Sequence, residues 1–339
     1  MEDVPGSVQP VQLKPGEHGI LTVDLPQSWN AFDALYIKGI DPYNNEIFTW
    51  SFPVKGPEVM ELPTDNGMHG EIKVDDTGLS IFVRLNGLSF EFDKKTGSLV
   101  DAIRGNTEMA LKNGPRFITD QKIAFDGINQ YSDESGNYVL EFSYQGDISK
   151  FRNIQYSIKW TVRTDGLLDL DVSGHYMQGI TFDYPEEEIK SVKRLADGPF
   201  RVWRNRMKGT RLGVWENEYN NTITGEPSTG YNYPEFKGFY SSLYWTRLNN
   251  WDGSDMTVYC HTPYTFLRLF TPETSKNVRT GWGTDAMEYY DGDISFLNAI
   301  LPIGTMFKKV EDLGPQSQIK TVYGWDSEPV RISLTFDFR

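Results

Sequence analysis

Short runs in which apolar and polar residues alternate dominate this chain. Gly19 to Leu25, Ala34 to Ile40, Ile47 to Val54, Leu79 to Leu85 and Leu88 to Phe92 carry the two-residue period of half-buried strands. The same period returns in Tyr138 to Tyr144, Ile154 to Arg163, Leu167 to Val172, Met256 to Cys260, Phe266 to Phe270 and Val330 to Phe338. Few windows carry a sustained helical stripe. Lys94-Lys95-Thr96-Gly97 and Arg163-Thr164-Asp165-Gly166 lie between such runs and read as hairpin turns. Antiparallel sheets packed face to face are the expected architecture. In the last run Ile332, Leu334, Phe336 and Phe338 share one face, so that strand should be tied into a sheet.

Residues 13 to 54 supply about three strands by this pattern, too few for a sandwich of their own. A polar connection with Pro and Gly follows, from Lys55-Gly56-Pro57 to Asp65-Asn66-Gly67. The expected division therefore falls near residue 60, with a small β segment over 1 to 60 and one large β domain over 61 to 339. No internal repeat or low-complexity tract interrupts either part.

Composition narrows the functional classes. The 339 residues include 9 Trp, 18 Tyr and 20 Phe, ample for a core. A formal net charge of -14 repels phosphate backbones and anionic headgroups, which argues against nucleic acid as a partner. Lys190, Lys193, Arg194, Arg201, Arg204, Arg206, Lys208 and Arg211 form one basic stretch, expected to pair with neighbouring carboxylates. The single Cys260 excludes an intrachain disulfide and a Cys-based zinc site. No apolar run approaches the roughly 18 to 20 residues of a spanning helix, and Met1 to Pro10 does not read as a signal peptide. Periplasm and cytoplasm are both compatible with that.

The most informative segment is Gly198-Pro199-Phe200-Arg201-Val202-Trp203-Arg204-Asn205-Arg206. A Trp among three arginines in a Gly-Pro turn suits a planar or polar partner, either a sugar or a neighbouring domain. Its pattern resembles Gly-Pro-x-Glu-x-Tyr-x-Asp-Arg of the C-terminal part of glycoside hydrolase family 2 β-galactosidases, with Gly198, Pro199 and Arg206 retained. Arg201 stands in place of the acid, Trp203 of the tyrosine and Asn205 of the aspartate. Leu88-Ser89-Phe90-Glu91-Phe92-Asp93-Lys94-Lys95-Thr96-Gly97-Ser98-Leu99 resembles the opening hairpin of that family's terminal domain. Pro234 to Gly238 is similar to its Pro-x-Glu-Asn-Gly, with Phe236 and Lys237 replacing the polar pair. Leu13 to Gly19 with Ile47 to Val54 resembles the second half of the preceding immunoglobulin-like domain. The resemblance implies an all-β chain, a large antiparallel supersandwich of galactose-mutarotase type led by a few immunoglobulin-like strands. It also implies an upstream TIM-barrel catalytic domain as partner, since the barrel and its two glutamates have no counterpart here.

Candidate chemistry is sparse. Retaining glycoside hydrolysis needs two carboxyl groups about 5 to 5.5 Å apart, and sequence pairs no two acids across a pocket. Glu186-Glu187-Glu188 and Asp291-Gly292-Asp293 read as solvated loops or strand edges. A mutarotase-type epimerase would need a general acid and base; of His18, His69, His175 and His261 the choice is His175, with Glu235 or Asp285 as base. Sugar stacking suits Trp203, Trp251 and Trp282, and Trp245 reads more easily as buried between sheets. Asp285 and the Asp291 turn could hold a hard cation such as calcium, but match no calcium-loop motif, so no cofactor is expected. Asn220-Asn221-Thr222 is a formal glycosylation sequon. Nucleophile-elbow, phosphate-loop and dinucleotide fingerprints are absent.

Three readings follow. The first is a non-catalytic C-terminal region of a β-galactosidase-like enzyme that helps shape a glycan cleft through Arg201, Trp203, Arg204, Arg206, Trp251, Trp282 and Asp285. The others are an independent carbohydrate-binding module and a mutarotase-type epimerase.

Overall fold

The structure is a computed structural model and describes residues 4–63, 69–146, 154–221, 234–271, 290–305, 308–317 and 328–339. Its strands, in chain order, are β1 (Ala34–Ile40), β2 (Glu46–Pro53), β3 (Lys73–Asp76), β4 (Ser80–Leu85), β5 (Leu88–Asp93), β6 (Leu99–Arg104) and β7 (Thr107–Glu108). There follow β8 (Lys112–Thr119), β9 (Ile123–Ser132), β10 (Tyr138–Gly146), β11 (Gln155–Val162), β12 (Leu168–Gly174), β13 (Met177–Asp183) and β14 (Ile189–Gly198). The last are β15 (Arg211–Glu218), β16 (Gly238–Tyr240), β17 (Trp245–Asn250), β18 (Met256–Cys260), β19 (Phe266–Leu269), β20 (Ile294–Leu297) and β21 (Val330–Asp337). Only short 3₁₀ turns add helix among the described residues, and no helix is long and apolar enough to cross a membrane.

The chain is essentially all-β. Two large antiparallel sheets face each other. One runs β15-β14-β17-β18-β21-β12-β11-β10-β9, and the other β16-β19-β20-β13-β8-β6-β5-β4-β3, with β7 paired to β6. Alternation explains the packing: Ile81, Val83, Phe90, Phe92, Ile180 and Phe182 from the second sheet meet Ile158, Trp160, Leu170, Val258, Leu334 and Phe336 from the first in one buried core. Aromatic contacts interlock the layers. Phe336 lies 5.9 Å from Trp160 and 5.7 Å from Phe182, and Phe92 lies 5.4 Å from Trp160.

The β5–β6 turn shows how local sequence sets this up. Asp93 Oδ1 accepts from the backbone N–H groups of Lys95 and Thr96, which winds the turn. Gly97 then takes φ +65°, where a Cβ would stand 2.4 Å from the Tyr144 hydroxyl. Its carbonyl accepts the Trp160 indole N–H at 2.8 Å, so the turn is also a tie between layers.

β1 and β2 form a separate two-stranded sheet, where the sequence pattern suggested three strands. Gly19 to Leu25 forms no strand, and Ile20 is 88% exposed: its alternation finds no neighbour to pair with. Pairing places Leu35 with Phe52, Ile37 with Trp50 and Gly39 with Phe48 on one apolar face of the hairpin. The opposite side approaches the outer face of β14, β15 and β17, where Ala34 and Met60 pack on Leu195, Leu212 and Tyr244. Trp245 belongs to this seam and not to the space between the large sheets, because it pairs with Leu195 on the outward side of its strand. The Tyr244 hydroxyl donates to the Lys55 carbonyl at 2.9 Å and fixes the connection above it.

Phe336→Ala should cost about 3–5 kcal/mol of stability, since it empties a fully buried ring site between both layers. Equilibrium urea unfolding checks this; a loss below about 1 kcal/mol would show that the two sheets do not share this core.

Candidate functional site

The Gly198 to Arg206 segment leaves the end of β14 and forms a bracket, not an open surface. Trp203 is 7% exposed and packs with Val202, Phe239, Leu297 and Ile300, its ring 5.5 Å from that of Phe239. The arginines reach inward or along the chain. Arg201 Nη1 donates to the Lys237 carbonyl at 3.1 Å, and Nη2 pairs with Glu235 Oε1 at 3.2 Å, both side chains being almost wholly buried. Gly238 is required beside it, for at φ +133° a Cβ there would come within 2.7 Å of Arg201 Cδ.

The remaining members of the segment hold the stretch after β20. The backbone N–H of Arg204 donates to the Leu301 carbonyl, and Arg206 Nη2 donates to the Gly304 carbonyl, each at 3.0 Å. Asn205 does more: its amide donates to the Ile303 carbonyl and to Ser317 Oγ, and its Oδ1 accepts from the Ile303 N–H. The aspartate expected at this place in the resembled motif could accept but not donate; asparagine can do both.

Buried charge extends around the bracket. Arg194 is fully buried on β14, lies 3.7 Å from the Tyr240 ring centroid, and donates to Asn217 Oδ1 at 2.6 Å and the Pro199 carbonyl at 3.0 Å. Lys237, 1% exposed, pairs with Glu186 at 2.5 Å. Half of the basic stretch is therefore structural. Glu186 is tied in rather than solvated, and so is Asp293: its carboxylate accepts the Tyr184 N–H at 2.9 Å, and burial pushes its carboxyl above the usual range.

The acid and base candidates sit at different places. His175 lies in the turn between β12 and β13, its Nδ1 buried without a hydrogen-bond partner among the described residues. Glu235 is bound to Arg201, and its neighbour Phe236 stacks on Phe270. Phe270 is tied through Asp293 to Phe182, at the far end of β13 from His175. At about 3.3 Å per residue the length of β13 holds the two some 15–20 Å apart along the strand. His261 instead joins Thr335 Oγ1 at 2.8 Å, and Thr335 donates to Asp169 at 2.6 Å; burial draws the imidazole below its normal value. Cys260 is buried, and burial raises its thiol to about 11, unsuited to a nucleophile. Trp282 and Asp285 lie outside the described residues. Among the described residues no group of three His, Cys, Asp or Glu is placed to hold a metal ion.

Trp251 is the exception to this inward packing. It is 70% exposed in the Asn250 to Gly253 turn after β17, and Lys190 Nζ stands 5.6 Å from its ring centroid. Its backbone N–H donates to the Glu188 carbonyl at 3.0 Å, which docks the turn against the 3₁₀ segment before β14. Beside it opens a cleft of about 430 Å³, lined among others by Asn106, Thr107, Glu108, Lys112, Glu188 and Asp252. Burial, then the neighbouring Asp252, raises the Glu188 carboxyl above its usual range. Asp252 is held below its usual range, first by the Ser254 hydroxyl, which donates to Oδ1 at 2.6 Å. Sequence pointed to Trp251 through its turn setting, but not to Asn106, Thr107 or Glu188, which come from distant parts of the chain. A second groove of about 470 Å³, lined by Glu71, Lys73, Arg84 and Asn86 among others, holds none of the candidates.

No family model matches the chain, and no curated protein matches it by sequence. Among solved structures it is similar to a GalM/aldose epimerase homologue from C. elegans, at 6% identity and TM-score 0.38, over 74% of this chain and 95% of that one. It is also similar to galactose 1-epimerase from Lactobacillus acidophilus NCFM, at 8% identity and TM-score 0.43, over 90% and 98% of the two chains. No residue role is carried over from either.

Arg201→Met should destabilise by about 3–5 kcal/mol, because Glu235 is then left buried without its partner, and Arg201→Met/Glu235→Met should recover most of that loss. Chemical denaturation of the three proteins checks the pair. A double variant as unstable as the single one would remove the ion pair from the account.

Proposed function

We propose that this chain is a carbohydrate-binding β-sandwich region, acting as a non-hydrolytic accessory part of a glycosidase-like enzyme. The observation that carries the reading is Trp251, a large exposed ring at the rim of a cleft whose lining offers an amide, a hydroxyl, a cation and carboxylates. Indole can cover the apolar C–H face of a pyranose while such groups take its hydroxyls. Residues such as Trp203, by contrast, are consumed by packing.

The sequence resemblance around Leu88 to Leu99 and Gly198 to Arg206 supports placing the region beside a barrel-type catalytic domain. In this reading residues 1 to 60 are an immunoglobulin-like element and residues 61 to 339 the sandwich domain. A mutarotase-type reaction would call on His175 and Glu235 together, and their separation along β13 weighs against that route.

Calorimetry of the purified chain against neutral galactosides and plant-type oligosaccharides should give saturable binding. Trp251→Ala should weaken it on the order of tenfold or more, as expected for loss of a central aromatic contact, whereas Trp203→Phe should act on stability. Equal affinity of wild type and Trp251→Ala would sink the reading. A chromogenic galactoside should show no turnover above blank; robust hydrolysis would overturn the accessory role.

A further inference from the structure

The lining of the Trp251 cleft is unbalanced between acceptors and donors. Glu188 carries no side-chain hydrogen bond or ion pair to any described residue, yet it is half-buried beside the cleft. Asp252 spends Oδ1 on the N–H and hydroxyl of Ser254, while Oδ2 takes no bond from another described residue. The one cation in the lining, Lys112, is already engaged by Glu108 in an ion pair.

Two further cations stand near but outside the lining. Lys190 rests on the indole, and Arg104 is directed to the carbonyls of Gly253, Asp255 and Phe338. Glu187, exposed next to Glu188, adds to the negative side. The cleft thus offers carboxylate oxygens that only a ligand can satisfy, and it lacks a spare cation for an acidic sugar.

We infer that the Trp251 cleft selects glycans bearing a free amine, an amino sugar without its acetyl group, over the acetylated or neutral sugar and over uronic or sulfated ones. The inference rests on the sugar-binding reading above, with Trp251 and the cleft as the site and Glu188 and Asp252 as the selecting groups. An ammonium supplies three N–H donors and a positive charge to two carboxylates that have acceptors to spare. A sulfate or carboxylate meets only like charge there. The raised carboxyl of Glu188 and the lowered one of Asp252 fit this division: Asp252 keeps its charge as pH falls, while Glu188 loses its share first.

The test is calorimetry of the full chain at about pH 6 and low salt with a β-linked glucosamine trisaccharide, its N-acetylated counterpart and a uronate trisaccharide. The amine form should bind roughly fivefold or more tightly than the acetylated form, the worth of one unit-charge pair about 4 Å apart in water, and the uronate should bind weakest. The amine-to-acetyl ratio should fall toward one in about 0.5 M NaCl and in Glu188→Gln. Binding of all three sugars with a ratio of one, or a ratio indifferent to both salt and Glu188→Gln, overturns the selectivity alone. Absence of binding by every sugar, neutral ones included, overturns the site itself.

Discussion

The structure depends on one strand being held on both edges. β21 pairs with β12 through Leu168 to Gly174 and with β18 through Thr257 to Cys260. Without it the nine-stranded sheet would be two separate ribbons, β9 to β12 on one side and β14, β15, β17 and β18 on the other. Its inner side chains, Ile332, Leu334 and Phe336, are buried between the layers. On its outer side Thr335 joins Asp169 of β12 to His261 just beyond β18. Backbone pairing, ring packing and a polar tie thus act across the same seam.

The same seam positions the candidate site. β17 lies beside β18, and the turn that ends β17 carries Trp251. Arg104 of β6 reaches across to the carbonyls of Gly253 and Phe338, so the turn is fastened both to the second sheet and to the residue after β21. A rigid mounting of this kind matters for an exposed ring. A stacking platform fixed beforehand loses less freedom when a ligand arrives.

Much of the fold was legible where alternation was clean. Ala34–Ile40 and Met256–Cys260 match the sequence reading at both ends, and Val330–Asp337 ends one residue early. The reading failed where polar residues occupy inward positions. In β14, Arg194 faces the interior and breaks the apolar rhythm; in β19, fully buried Arg268 does so beside Leu267 and Leu269. Interior arginines of this kind are held by carbonyls, an amide and a ring, partners that no local pattern announces. The site was legible in part for a related reason. A Trp in an Asn-Asn-Trp-Asp-Gly turn has no obvious core to join, whereas Trp203 carried the same aromatic signal and is sealed under Phe239. The cleft residues Thr107, Glu188 and Asp252 become neighbours only after both sheets are assembled.

The late position of β21 has a consequence for synthesis. As the polypeptide emerges from its N-terminal side, β9 to β12 can pair as a meander through short connections. The outer edge of β12 then stays open until its partner, half a chain later, is made. An unpaired edge backed by an apolar face invites pairing with other chains. Until the strand from Val330 arrives, this nascent protein is a natural client for chaperones that shield exposed β edges.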